Sequence, residues 1–178
     1  VELDPTTSAI ARYLYPKEQH LNIGFQNSLI RSGGIDAVVG NPPFGNQSLY
    51  DPDFPELRKF SVHNYFLAKS IDLLREGGVA SFVVSRYFMD SADSTVREHI
   101  SQYADFLGAV RLPENAFRQN ALTDVTADVV FFQKNSGEKL YSRDWVNTAS
   151  IEVDDLKNGG RRPATINSYF VENPRQVI

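Results

Sequence analysis

Four consecutive residues carry the clearest chemical signal in the sequence: Asn41-Pro42-Pro43-Phe44, directly behind the run Ile35-Asp36-Ala37-Val38-Val39-Gly40. Two adjacent prolines remove two main-chain donors and hold the preceding residue extended, so nearby carbonyls are left as acceptors without neighbouring N–H groups. The Asn41 side-chain oxygen and the Pro42 carbonyl can then accept both hydrogens of one planar amino group, while the Phe44 ring stacks on the ring system that bears it. An aromatic amine is a weak nucleophile because its lone pair is delocalised into the ring. Two acceptors out of the ring plane favour a more pyramidal nitrogen with a localised pair, which stabilises charge developing in a transition state. The same four residues also suit a plain strand terminator, with Asn41 capping and Phe44 in the core.

Such chemistry needs a strand that ends at position 40, because in open α/β sheets ligands sit beyond the carboxyl ends of strands. Residues 35–39 are apolar and β-branched in the manner of a strand buried on both faces of a parallel sheet. Short β-rich runs alternate with amphipathic stretches along the chain, which predicts α/β layering. Val1–Leu3 reads as the end of a strand. Asp4 and Pro5 form an N-cap and first turn for a helix ending near Leu14, and Leu21–Phe25 reads as a second short strand. The Pro-containing segment Gly45–Leu57 is a long loop of the kind that often carries function. An amphipathic helix with Val62, Phe66 and Leu73 closes at Gly77-Gly78. Val79–Val84 and Ala127–Gln133 are predicted as strands, separated by a helix carrying Val96, Ile100 and Tyr103. Gly159-Gly160-Arg161-Arg162-Pro163 reads as an exposed linker. Residues 1–140 are expected to form the main domain, and 141–178 a peripheral extension.

Composition narrows the function classes. The 178 residues, 42% hydrophobic, suffice for one compact domain. No run approaches the roughly 18 to 20 apolar residues of a membrane span, so no membrane partner is expected. Cysteine is absent, which excludes disulfides and thiolate chemistry and fits a cytoplasmic setting. His20, His63 and His99 lack metal-ligand spacing, and no metal is assigned. The formal charge of −4 argues against nucleic-acid binding by the whole surface and leaves room for a local basic groove. The chain opens on Val rather than Met, which reads as a piece of a larger protein.

On the Asn41–Phe44 tetrapeptide the sequence resembles the S-adenosylmethionine-dependent amino-methyltransferases, particularly the adenine-specific DNA methyltransferases. The resemblance implies an incomplete Rossmann-like class I methyltransferase sheet, S-adenosylmethionine as cofactor, and double-stranded DNA with a flipped adenine as partner. It implies that Asn41 and Pro42 bind the target amino group and that Phe44 stacks on the flipped base. Val1–Pro5 is similar to the end of the family's second strand, so Glu2 would hold the cofactor ribose hydroxyls. Ile23–Gln26 would meet the cofactor adenine through Phe25 and Gln26. The segment from Phe117 to Lys134 is similar to the one whose aromatic packs on the target, a role that falls to Phe117. The order of these segments resembles unpermuted family members.

The family's first strand and glycine-rich turn have no counterpart, since no Gly-x-Gly occurs; they would precede Val1, and the piece alone is expected to be inactive. Ile166–Phe170 and Glu172–Pro174 are similar to a segment of large methylase and helicase proteins of bacterial mobile elements, so further domains of a larger chain are possible partners. Arg86, Arg118, Arg161 and Arg162 are candidate phosphate contacts. Two other functions compete with DNA adenine methylation: methylation of a protein glutamine amide, whose nitrogen also carries two hydrogens, and a noncatalytic methyltransferase-like module that binds DNA or partner domains.

Overall fold

Asp4 caps the first helix as its sequence requires: its carboxylate accepts from Thr7 N at 2.7 Å, and Pro5 opens helix α1, Pro5–Leu14. The computed structural model describes residues 1–117, 126–136, 144–154 and 159–178. The remaining elements in chain order are β1 (Ile35–Gly40), α2 (Val62–Leu73), β2 (Leu74–Ser85), α3 (Arg86–Asp90), α4 (Thr95–Tyr103), β3 (Ala104–Arg111), β4 (Ala127–Lys134), β5 (Thr148–Asp154), β6 (Arg161–Asn167) and α5 (Ser168–Glu172). Short 3-10 turns cover Phe25–Asn27 and Pro55–Lys59.

Four strands form one sheet in the order β1-β2-β4-β3. β1 runs parallel to β2, with Gly40 opposite Phe82, and β4 runs antiparallel to both β2 and β3. The parallel pair is joined by α2, the crossover that parallel strands need. Helix α2 passes into strand β2 at Leu73–Leu74 without a spacer, and Gly77, expected to close the helix, falls inside β2. Gly77 has φ +72°, and a Cβ on Gly78 would lie 3.0 Å from the Asp36 carbonyl and 3.1 Å from that of Ile35. Only glycine allows this backbone approach without displacement.

The core lies around β2, β4 and the helices, with Tyr65, Leu67, Phe82, Val130 and Phe132 at 2% exposure or less. Helix α2 is enclosed on most of its surface, including the charged Lys69. The region after residue 143 contributes to the same core. Trp145 stacks on Phe106 with centroids 4.8 Å apart, and Phe170 is 2% exposed with the Arg111 guanidinium 4.4 Å above its ring. Asn167, fully buried, donates to Met89 O at 2.8 Å and Trp145 O at 2.7 Å and caps α5 through Tyr169 N at 3.0 Å. Arg111 bridges Asp128 and Asp90, tying β3, β4 and α3 together.

Several sequence expectations are corrected. Val1–Leu3 and Leu21–Phe25 are not strands: one main-chain bond, Glu2 N to Leu21 O at 2.9 Å, joins them, and Asn22 Nδ2 occupies the Glu2 and Leu3 carbonyls that a ladder would need. Residues 35–39 do form a parallel strand, but one that is not buried on both faces: Ala37 and Val39 share a face that nothing among the described residues covers, Val39 being 87% exposed, while Val38 on the opposite face is half-buried. The segment expected as a linker at 159–163 is the turn and first residues of a β5–β6 hairpin. Gly159 and Gly160 take positive φ at the turn, and Pro163 pairs opposite Glu152 in a two-stranded sheet whose edges tolerate a residue without N–H.

Candidate functional site

Strand β1 delivers the Asn41–Phe44 turn to the end of the sheet where β2 also finishes, since the two run parallel. The prolines stop the strand, and the loop beyond is held by Gln47 O, which accepts from Val62 N at 2.7 Å, next to the Ser61 cap of α2. Asn41 is exposed and Pro42 buried. Neither the Asn41 side chain nor the Pro42 carbonyl bonds to another described residue, so both oxygens remain available as acceptors. The strand-terminator alternative, with Phe44 in the core, does not describe this turn: Phe44 is 59% exposed.

Two hollows flank the turn. On one side a trench of about 320 Å³ is lined mainly by apolar groups, among them Phe25, Val38, Phe66 and Phe82, together with Asn41 and Pro42. On the other a cavity of about 630 Å³ is lined by Phe44, Ser61, His63, Asn64 and Tyr87 among others. The Phe44 ring lies against His63, with centroids 5.4 Å apart and planes tilted by 40°. His63 is 7% exposed. Burial pushes its pKa below that of a free imidazole, so the ring backing Phe44 is neutral at pH 7.

The other residues singled out from sequence are distributed unevenly. Phe25 reaches the trench and packs on Phe66 with centroids 4.8 Å apart. Gln26 folds its side chain over Gly24 and is not among the trench-lining residues. Glu2 is half-buried outside the trench, and its Oε1 accepts from Asp4 N at 2.8 Å. Phe117 is half-buried in the turn after β3 and does not line the 630 Å³ cavity. Arg86 stacks over the cavity-lining Tyr87 at 5.1 Å. Arg161 sits 3.9 Å from Asp154 and donates to Glu152 O, Arg162 is exposed on β6, and Arg118 lies outside the described residues.

Sequence reasoning missed two features: His63 packed on Phe44, and a buried group made by Asp51, Tyr65 and Lys69 in contact with Phe25. Lys69 was visible as the one cation in the apolar run Tyr65-Phe66-Leu67-Ala68-Lys69-Ser70-Ile71. A charge on the buried side of a helix signals a partner, but its partner Asp51 sits in a loop whose path the sequence does not specify.

The sequence pattern of the Eco57I restriction-modification methylases matches residues 8–117, more than half of the chain and inclusive of the turn. The chain belongs to this family. The Defense against restriction protein B of Escherichia phage P1 is 26% identical over 155 residues, 85% of this chain. The chain spans 7% of that relative's length. Among solved structures, a Listeria monocytogenes protein described as a class I S-adenosylmethionine-dependent methyltransferase superposes with a TM-score of 0.61 at 17% identity, covering 79% of this chain and 46% of that one. The modification (M) protein of the type I restriction enzyme EcoKI superposes with a TM-score of 0.59 at 20% identity, covering 98% and 39%. The Eco57I-family chain therefore has the Rossmann-like class I methyltransferase fold expected from its tetrapeptide.

Proposed function

We propose that the protein carrying this chain is an S-adenosylmethionine-dependent DNA adenine amino-methyltransferase. The observation that carries the reading is the pair of unengaged acceptors, Asn41 Oδ1 and Pro42 O, at the carboxyl end of β1 beside a Phe44 ring that is 59% exposed. Membership of a restriction-modification methylase family makes DNA the natural substrate class.

The cofactor fit rests on the trench, whose apolar walls of Phe25, Val38 and Phe82 suit a purine ring and whose rim carries Asn41 and Pro42. Phe25 would hold the adenine of the cofactor there. The carboxylate of Glu2, with Oε1 taken by Asp4 N, would offer Oε2 to the ribose, and Gln26 would act only after leaving Gly24. S-adenosylmethionine, when bound, would supply an electrophilic methyl carbon, its sulfur–methyl bond breaking as the nitrogen–methyl bond forms and S-adenosylhomocysteine leaving.

The target amino group lies buried in duplex DNA and must be extruded, at a cost of a few kcal/mol of unstacking. Phe44 replaces the lost stacking on one face, and His63 behind it keeps that ring from retreating. Asn41 Oδ1 and Pro42 O then accept hydrogen bonds from the two amine N–H groups, which localises the nitrogen lone pair. As the nitrogen becomes positive in the transition state, the same two oxygens bear on the developing charge, and the surplus proton leaves to solvent. Phe117, which stands outside the cavity, would complete the stack only after moving toward it, and Arg86 beside Tyr87 would meet a phosphate at the cavity mouth.

The test is to incubate the full-length protein with S-adenosylmethionine carrying a labelled methyl group and unmethylated plasmid DNA, then digest to nucleosides. Label in N6-methyl-2′-deoxyadenosine is the expected result. An absence of label from the DNA, or label confined to deoxycytidine, refutes the assignment.

A further inference from the structure

The buried group beside the turn is built from parts of the chain that the two hollows otherwise keep apart. Lys69 Nζ, 1% exposed, donates to the Phe25 carbonyl at 2.8 Å and to Asp51 Oδ2 at 2.8 Å. The Tyr65 hydroxyl donates to the same Oδ2, while Asp51 Oδ1 accepts from Asp53 N at 3.0 Å. Three rings surround the ammonium, with centroids 4.8 Å away for Phe25, 5.1 Å for Phe54 and 5.9 Å for Tyr65. Burial alone would raise the Asp51 pKa, but hydrogen bonds from Lys69, Tyr65 and the Asp53 main chain outweigh it and leave the carboxyl below its ordinary value. The carboxylate is therefore ionised at neutral pH, and the ammonium has a full counter-charge.

The placement is what gives the cluster a role. Phe25 forms a wall of the trench together with Asn41 and Pro42. Asp51 and Phe54 belong to the loop that starts at Phe44 and ends at the Pro55–Lys59 turn. Helix α2 stands between these segments, and Lys69 reaches from it to both. A point charge on a four-carbon stem, caged by three rings, fixes two otherwise irregular segments to one rigid helix.

We propose that Lys69 is a positioning residue for the transfer reaction: by gripping the Phe25 carbonyl in the trench wall and Asp51 in the loop whose first residues, Phe44 to Asn46, line the cavity, it sets how the two hollows are spaced across the Asn41–Phe44 turn. This rests on the assignment of the trench and cavity to cofactor and target base. A misplacement of either wall by about 1 Å lowers the rate roughly a hundredfold without removing any group that touches the reacting atoms.

The full-length triple variant Asp51→Leu/Tyr65→Phe/Lys69→Met tests it, because an all-apolar replacement of a buried ionic group often leaves the fold as stable as before. The expected result is a thermal midpoint near that of wild type, kcat for plasmid DNA methylation lowered roughly 10- to 100-fold with little change in KM for DNA, and weaker calorimetric binding of S-adenosylhomocysteine as the Phe25 wall loosens. A folded variant with wild-type kcat and wild-type affinity overturns the proposal. If the triple variant loses its cooperative transition, Asp51→Asn/Lys69→Met decides by the same two measurements, since it removes both charges together and keeps the shape. Should wild-type protein transfer no methyl group to DNA, the functional reading itself falls and this proposal with it; transfer by wild type that is unchanged in the variants sinks Lys69 alone.

Discussion

Asn41 and Asn167 are the same residue at the ends of two strands, and they are used in opposite ways. Asn167 is fully buried at the end of β6, and its side chain reaches Met89 O, Trp145 O and Tyr169 N while its own N–H donates to Asp90. Asn41 is exposed at the end of β1 and bonds to no other described residue. One amide is consumed by the fold, and the side chain of the other has no partner among the described residues. A polar side chain at a strand end thus reads as structural or functional according to whether its hydrogen bonds close within the molecule.

The contrast is broken most sharply by removing each amide in turn. Asn41→Ala should lower the methyl-transfer rate roughly 100- to 1,000-fold, the scale seen when one transition-state hydrogen bond is lost, with its thermal midpoint unmoved. A midpoint that drops instead would mean that Asn41 serves the fold. Asn167→Ala should do the reverse. It leaves two buried carbonyls without a donor and removes the α5 cap, a loss of roughly 2–4 kcal/mol in urea unfolding, while kcat per folded molecule stays near wild type. The smallest effect sharpens the comparison at His63. Burial lowers the pKa of both His63 and His99, so below the unfolded value of about 6.5 the unfolded chain binds more protons than the folded one. Stability should therefore be full above about pH 6.5, fall as the pH drops below that unfolded value, and level off once the lower folded-state pKa values are passed. His63→Phe should flatten that slope without abolishing it, because His99 retains its share; thermal scans between pH 5 and 8 would detect this, and an unchanged slope would show that His63 does not titrate on unfolding.

What the sequence revealed follows from how local each signal is. Asp4-Pro5 specifies the start of α1 within three residues, and the strand before Asn41 declares itself by its β-branched run, so both are read without knowing the rest of the molecule. The uncovered face of β1 is not local: nothing in Ile35–Gly40 tells whether Val39 faces a neighbour or solvent. Residues 1–3 and 21–25 looked like strands because their composition favours extension, yet a ladder also needs a partner of matching register, which composition does not encode. The site divides in the same manner. The turn was legible because its four residues are contiguous, whereas the Asp51–Lys69 contact joins positions 18 apart and the Asn167–Met89 contact joins positions 78 apart. Trp145 and Phe170 enter the core through that second kind of contact, which is why the weakening hydrophobic pattern after Trp145 understated their burial.

The outer side of β1 has a practical consequence. Among the described residues no strand lies beyond it, so a row of main-chain donors and acceptors stays open along Ile35–Gly40, with Val39 displayed beside it. Such a ribbon is a template for any extended polypeptide, another copy included. Preparations of this stretch on its own should clump as concentration rises, and a short lysine-bearing peptide designed to zip along that border would keep them dispersed.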